Sequence, residues 1–195
     1  FGFYDMEAVC RNKNGEEFGR ASTRISVIIP NEEPNPKMGF STHITKGILG
    51  YGFDRKEEKL GMAKNAGAGF SRDELRWTSF EAKPGMWGAD QYTQGWLDAS
   101  DINHMRMYAT IGYGNPAVIN ETFPHSKEAV DSFLKYVSYV AEETKNLNID
   151  YEFWNEYNIS TNTYGTGAQE YVDLLKEVYK IFKAANPKAN VYAFT

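Results

Sequence analysis

Apolar positions along the chain change their period twice. From Phe3 to Cys10 they alternate, with Tyr4, Met6, Ala8 and Cys10 on one face and Asp5 and Glu7 on the other. Ala21 to Ile29 alternates again, with Ile25, Val27 and Ile29 in step. Between the runs, Asn14-Gly15 tolerates the positive φ that a hairpin turn requires. Two antiparallel strands alone are marginal in water, so residues 1–30 read as the last hairpin of a β-sandwich. Residues 31–37 are rich in proline and acidic side chains and read as a polar linker.

Beyond the linker, residues 38–195 alternate strand with helix. Strands are predicted at Met38–Ile44, Gly69–Trp77, Met105–Tyr113, Ile149–Trp154 and from Val191 onward. Helices are predicted at Arg55–Ala66, Gln91–Ala99, after a Ser126 cap, and at Gln169–Ala185. The third helix carries Val130, Phe133, Leu134, Val137, Val140 and Ala141 at spacings of three and four, and the fourth carries Tyr171, Leu174, Leu175, Val178 and Phe182. Such alternation predicts an α/β fold with a parallel sheet, either an open doubly wound sheet or a barrel. A nucleotide-binding open sheet should carry a glycine-rich turn after its first strand. Ser41-Thr42-His43-Ile44-Thr45-Lys46 stands there instead, and the pairs Gly67/Gly69, Gly112/Gly114 and Gly165/Gly167 read as loop geometry. Polar and aromatic groups cluster where strands end, at His43, at Arg72, Glu74 and Trp77, at Tyr113 and Asn115, and at Glu156 and Asn158. A barrel builds its active site along that edge. The barrel is favoured, and the closing run Val191-Tyr192-Ala193-Phe194-Thr195 predicts that these 195 residues are a piece of a longer polypeptide.

Composition narrows the function classes. The net charge is −5 with both signs interspersed, which disfavours a phosphate-backbone ligand and so a nucleic-acid partner. No apolar run approaches the roughly 20 residues that span a bilayer, so no membrane partner is expected. The single cysteine, Cys10, lies on the hairpin away from any base, and no His, Cys, Asp and Glu grouping has metal-ligand spacing. Aromatic residues reach 15%, enough both to fill a core and to offer platforms on which sugar rings stack.

Tyr151-Glu152-Phe153-Trp154-Asn155-Glu156-Tyr157-Asn158 carries the sharpest chemistry. Strand periodicity turns Glu152 and Trp154 to one side and Phe153 and Asn155 to the other, with Glu156 at the strand end. A carboxyl among Trp154 and Tyr157 would be partly desolvated, which keeps it protonated as a general acid requires. Asn155 offers an amide that can hold a sugar hydroxyl.

Trp154-Asn155-Glu156-Tyr157-Asn158 resembles the Trp-Asn-Glu-Pro-Asn signature of clan A retaining glycoside hydrolases. Ala66 to Glu74 with Trp77 and Glu81, Tyr113-Gly114-Asn115-Pro116, and Ala184-Ala185-Asn186-Pro187 resemble further segments of the β-xylosidase and α-L-iduronidase group. Tyr157 departs from the pattern, since proline usually stands there. The resemblance implies the N-terminal half of a (β/α)8 barrel that hydrolyses O-glycosidic bonds of oligo- or polysaccharides without a cofactor, in a secreted or periplasmic protein. It implies Glu156 as acid/base beside Asn155, and Arg72 as the group that orients the nucleophile. A structural ion pair of Arg72 with Glu152 or Asp73 is the alternative. His43, Trp77, Tyr113, Asn115, Trp154 and Asn158 are implied as sugar contacts. For His43 the competing role is a hydrogen-bonded core residue, and for Trp77, Tyr113 and Asn115 it is core packing or a turn. The family's nucleophile is a second Glu on the seventh strand, beyond this chain, so the remainder of its own barrel is an expected partner. A non-catalytic carbohydrate-binding relative is the rival reading.

Overall fold

The computed structural model describes residues 2–47, 55–159 and 167–193. Two strands, β1 (Gly2–Arg11) and β2 (Glu17–Val27), form an antiparallel hairpin with Gly2 opposite Val27. The Asn12 side chain accepts from the N–H groups of Asn14 and Glu16, and Gly15 takes the left-handed backbone at φ 86. Hairpin side chains stay uncovered, Phe3 being 80% and Phe18 74% exposed.

Next come β3 (Asn35–Ser41), a single 3-10 turn (Ile44–Lys46), α1 (Lys56–Asn65), β4 (Ala68–Arg76) and the short α2 (Trp77–Phe80). A small hairpin of β5 (Glu81–Lys83) and β6 (Met86–Trp87) precedes α3 (Gln91–Ile102) and β7 (Arg106–Gly112). The chain continues through α4 (Lys127–Thr144), β8 (Ile149–Phe153), α5 (Ala168–Ala185) and β9 (Val191–Ala193). The five long-range strands pair in the order β3-β4-β7-β8-β9, all parallel, as one curled sheet. Phe194 and Thr195, which the sequence assigns to the last strand, and Gly165 lie outside the described residues.

Most expected elements stand within two residues of their predicted bounds. Ser126 caps α4, its hydroxyl accepting from the Ala129 N–H at 3.2 Å. Asp90 caps α3 in the same manner. The exceptions are β2, which starts at Glu17 rather than Ala21, α3, which runs on past Ala99 to Ile102, and the first sheet strand. That sheet strand starts at Asn35, inside the segment read as linker, and Asn35 N–H donates to the Gly67 carbonyl at 2.8 Å. Pro36 is tolerated because β3 is an edge strand in this sheet, where a missing N–H costs no ladder bond.

Strand periodicity divides the sheet into two chemistries. One face carries Leu75, Met107, Ala109, Ile111, Ile149, Tyr151 and Phe153, buried against Trp96 of α3, Phe133, Tyr136 and Val140 of α4, and Phe182 of α5. The Tyr151 and Phe182 rings stack at 3.7 Å. Each such Leu, Ile, Met or Phe side chain contributes about 1.5–3 kcal/mol on leaving water. The opposite, concave face carries Arg72, Glu74 and Arg76 of β4, Arg106, Tyr108 and Thr110 of β7, and Asp150 and Glu152 of β8. Helices cover the first face, and charged pairs fill the second.

Candidate active site

Four of the five non-glycine residues with positive φ among the described residues sit just past strand C-termini: His43 (φ 53), Tyr113 (φ 66), Trp154 (φ 67) and Glu156 (φ 49). Side-chained residues rarely adopt this backbone, and it is held only where surroundings over-determine it. The strain follows the sheet edge that polar residues also mark.

At the end of β8 the chain turns sharply. Trp154 N–H donates to the Ile111 carbonyl of β7 at 2.7 Å, and the residue then leaves the strand conformation. This overturns the alternation expected there. Asn155 meets the same partner as Glu152 rather than facing away from it, because the left-handed residue between them rotates the chain. Arg72 Nε and Nη2 donate to Glu152 Oε2 at 2.9 and 2.6 Å, and Nη2 also donates to Asn155 Oδ1 at 2.8 Å. Thr110 Oγ1 donates to the same Glu152 oxygen at 2.6 Å. The Arg72–Glu152 ion pair weighed in the sequence is therefore present. Asp73 is not part of it, since its carboxylate faces Thr42 and Thr45 at 2.8 and 2.6 Å on the other side of β4.

Glu156 itself is exposed. The expectation that Trp154 and Tyr157 would desolvate it is corrected. Both rings turn into the protein, Trp154 packing on Phe123 at 4.8 Å and Tyr157 on Tyr171 at 4.5 Å, while the left-handed backbone carries Glu156 outward. Asn158 is exposed beside it.

A second polar group borders the same edge. Arg76 Nε donates to Glu74 Oε2 at 2.6 Å, Tyr113 Oη to Glu74 Oε1 at 3.3 Å, and Lys46 Nζ lies 4.0 Å from Oε1. The Arg76 guanidinium sits 5.0 Å from the Tyr113 ring centre, a cation–π distance. Burial, then the Glu74 carboxylate, pushes the Tyr113 phenol up to about 12. His43 is half-buried at the end of β3.

Three expected sugar contacts are placed in the interior. Trp77 is fully buried between Phe133 and Tyr136, and its indole N–H donates to Glu81 at 2.7 Å. Its odd position in the predicted strand Gly69–Trp77, in step with Leu75, was the available signal, although in the structure β4 ends at Arg76 and Trp77 opens α2. Trp154 is 1% exposed within the Phe123, Phe133 and Phe153 cluster. Asn115 is buried and serves a turn, its amide donating to the Glu81 carbonyl at 2.7 Å and accepting from Ala117 N–H. Conversely, Thr110 and Lys46 were not singled out, although Thr110 alternates in register with Glu152.

No protein-family description and no curated protein matches the chain in sequence. Solved structures do match in shape. A family 39 glycoside hydrolase from Bacteroides cellulosilyticus WH2 superposes with a TM-score of 0.76 at 23% identity, over 98% of this chain and 38% of its own. The fold is a partial (β/α)8 barrel. A GH39 enzyme from Xanthomonas axonopodis pv. citri gives 0.57 at 16% identity over 84% of this chain, and an exo-beta-1,4-mannosidase from Opitutaceae bacterium strain TAV5 gives 0.59 at 13% over 94%. The chain spans 36% and 33% of those two proteins. In the partial barrel, the edge bearing Glu156, Tyr113 and His43 is the one where such barrels place their chemistry.

Proposed function

We propose that the chain is the N-terminal half of a retaining glycoside hydrolase and that Glu156 is its acid/base. The observation that carries this reading is the turn after β8, which leaves Glu156 exposed at the strand's C-terminal end and ties neighbouring Asn155 to Arg72. Glycoside hydrolysis needs an acid to protonate the leaving oxygen and then, as base, to activate water. Glu156 fills both roles, and Asn155 holds a hydroxyl of the sugar undergoing cleavage. His43, Tyr113 and Asn158 border the glycone, and the substrate is an O-glycosidic bond of an oligo- or polysaccharide.

Double displacement also needs a nucleophile carboxylate about 5–5.5 Å from the acid. We assign it to a later strand of the barrel, and we assign its orientation to Arg72 on the concave face. The same remainder covers the charged concave face and completes the surroundings of Glu156. The uncovered apolar side chains of residues 1–30 support the hairpin's assignment to an accessory sandwich. That the similar structures are named as glycoside hydrolases supports the reading further.

Proton NMR of the first-formed product, with the full-length protein and a panel of aryl glycosides, tests it. Retention of anomeric configuration is expected. Inversion would reject double displacement, and sugar binding without turnover of any glycoside would favour the non-catalytic relative.

A further inference from the structure

Glu152 lies mid-strand in β8 with a fully buried side chain. A buried carboxylate is costly unless its charge is met and its oxygens hydrogen-bonded. Here Arg72 and Thr110 meet it, but the geometry does more than neutralise. A guanidinium pairing for stability alone favours the fork in which two N–H groups meet two carboxylate oxygens. Arg72 instead brings Nε and Nη2 onto the single oxygen Oε2, and Nη2 divides its two hydrogens between that oxygen and Asn155 Oδ1. Thr110, donating to the same Oε2 from β7, fixes where that oxygen sits.

A guanidinium only donates, so the amide edge facing Arg72 is the oxygen and Nδ2 is directed away from it. We propose that Glu152 is a positioning residue that acts through Arg72 to fix the orientation of the Asn155 amide, so that Asn155 meets a substrate hydroxyl as hydrogen-bond donor. The hydroxyl it recognises must accept from Asn155 and give its own proton elsewhere. The identity of the ligand rests on the glycosidase reading of Glu156, whereas the orientation of the amide does not.

Two variants of the full-length protein separate positioning from simple support. Glu152→Gln keeps shape and removes charge. Arg72→Lys keeps a cation facing Glu152 and removes the fork that reaches Asn155. The first readout is the side-chain amide resonance of Asn155, identified by its loss in Asn155→Asp. It is expected to shift in both folded variants. The second is kcat/KM for the best aryl glycoside and a series of its monodeoxy analogues. Each variant should lose about tenfold on the parent glycoside, mainly in kcat, as expected for one misdirected hydrogen bond. For one analogue, the one lacking the hydroxyl held by Asn155, the loss should be smallest, since only the part that passes through Arg72 to the nucleophile remains. An unmoved Asn155 resonance in a folded variant, or equal losses across all analogues, overturns the proposal. Should Glu152→Gln fail to fold, Arg72→Lys decides alone. A wild type that turns over no glycoside rejects the reading of Glu156, and the amide resonance then decides the orientation by itself.

Discussion

Tyr171 of α5 donates its hydroxyl to the carbonyl of Phe153, the last residue of β8, at 2.8 Å. That bond anchors the strand end from the helix side, while Trp154 N–H anchors it from β7. Tyr157 adds a third tie through its hydroxyl, which donates to the Gly167 carbonyl at 2.8 Å, and through its ring on Tyr171. Tyr157 stands where proline stiffens the related signature. Here Tyr157 offers a side-chain tether instead.

Tyr171→Phe should therefore loosen the turn without emptying the core. We expect a loss of about 1 kcal/mol in stability, the usual contribution of one hydrogen bond. Denaturant unfolding of the full-length protein checks the magnitude. A turnover number that falls alongside would tie the anchor to the position of Glu156.

Gly114 lies between Tyr113 and Asn115, and a Cβ built on it would stand 2.1 Å from the Glu121 backbone oxygen. Backbone cannot yield as a flexible side chain can. Gly114→Ala should cost about 1–3 kcal/mol, as overpacking does. Thermal unfolding measures it, and an unchanged melting temperature would mean that this loop is packed differently.

Alkaline pH should act through tyrosines. Burial, reinforced by Glu74 at Tyr113 and by Glu152 at Tyr108, pushes both phenols up to about 12, and burial does the same for Tyr151 despite its bond to Thr144. In the unfolded chain they ionise near ~10. Between those values the folded state binds more protons, so the stability they contribute is intact below about pH 10 and is lost as pH rises toward 12. Burial raises Tyr136 and Tyr139 as well, so phenolate absorbance should show five late-titrating tyrosines until unfolding, and stability should fall through that window.

Expressed alone, residues 1–195 should neither hydrolyse glycosides nor remain monomeric. The charged concave face and the sheet edges at β3 and β9 would lack the partners a closed barrel provides, and open edges promote association. Light scattering and an aryl-glycoside assay test this together. Steady turnover abolished by Glu156→Gln would place a nucleophile within these residues.

The parallel sheet was legible because its strands and helices differ in hydrophobic period, as Ile149–Phe153 and the α4 stripe show. Asn155 and Glu156 were singled out from one motif and Arg72 from another. Their arrangement was not legible, because the left-handed backbone at Trp154 breaks the alternation from which side-chain directions are read. The entry of β3 into the linker went unseen for a related reason, since Pro36 forbids a ladder donor only where one is needed. Trp77 and Asn115 were placed at the sugar by resemblance, yet the odd position of Trp77 in the predicted strand, in step with Leu75, already directed it to the core.

The most direct measurement of the central claim compares leaving groups in full-length Glu156→Gln. General acid assistance contributes roughly 10²–10⁴-fold, and only a poor leaving group needs it. Fold, melting temperature and sugar binding should persist, turnover of substrates with poor leaving groups should drop by that factor, and activated aryl glycosides should lose far less in their glycosylation step. Equal losses for good and poor leaving groups would show that Glu156 is not the acid.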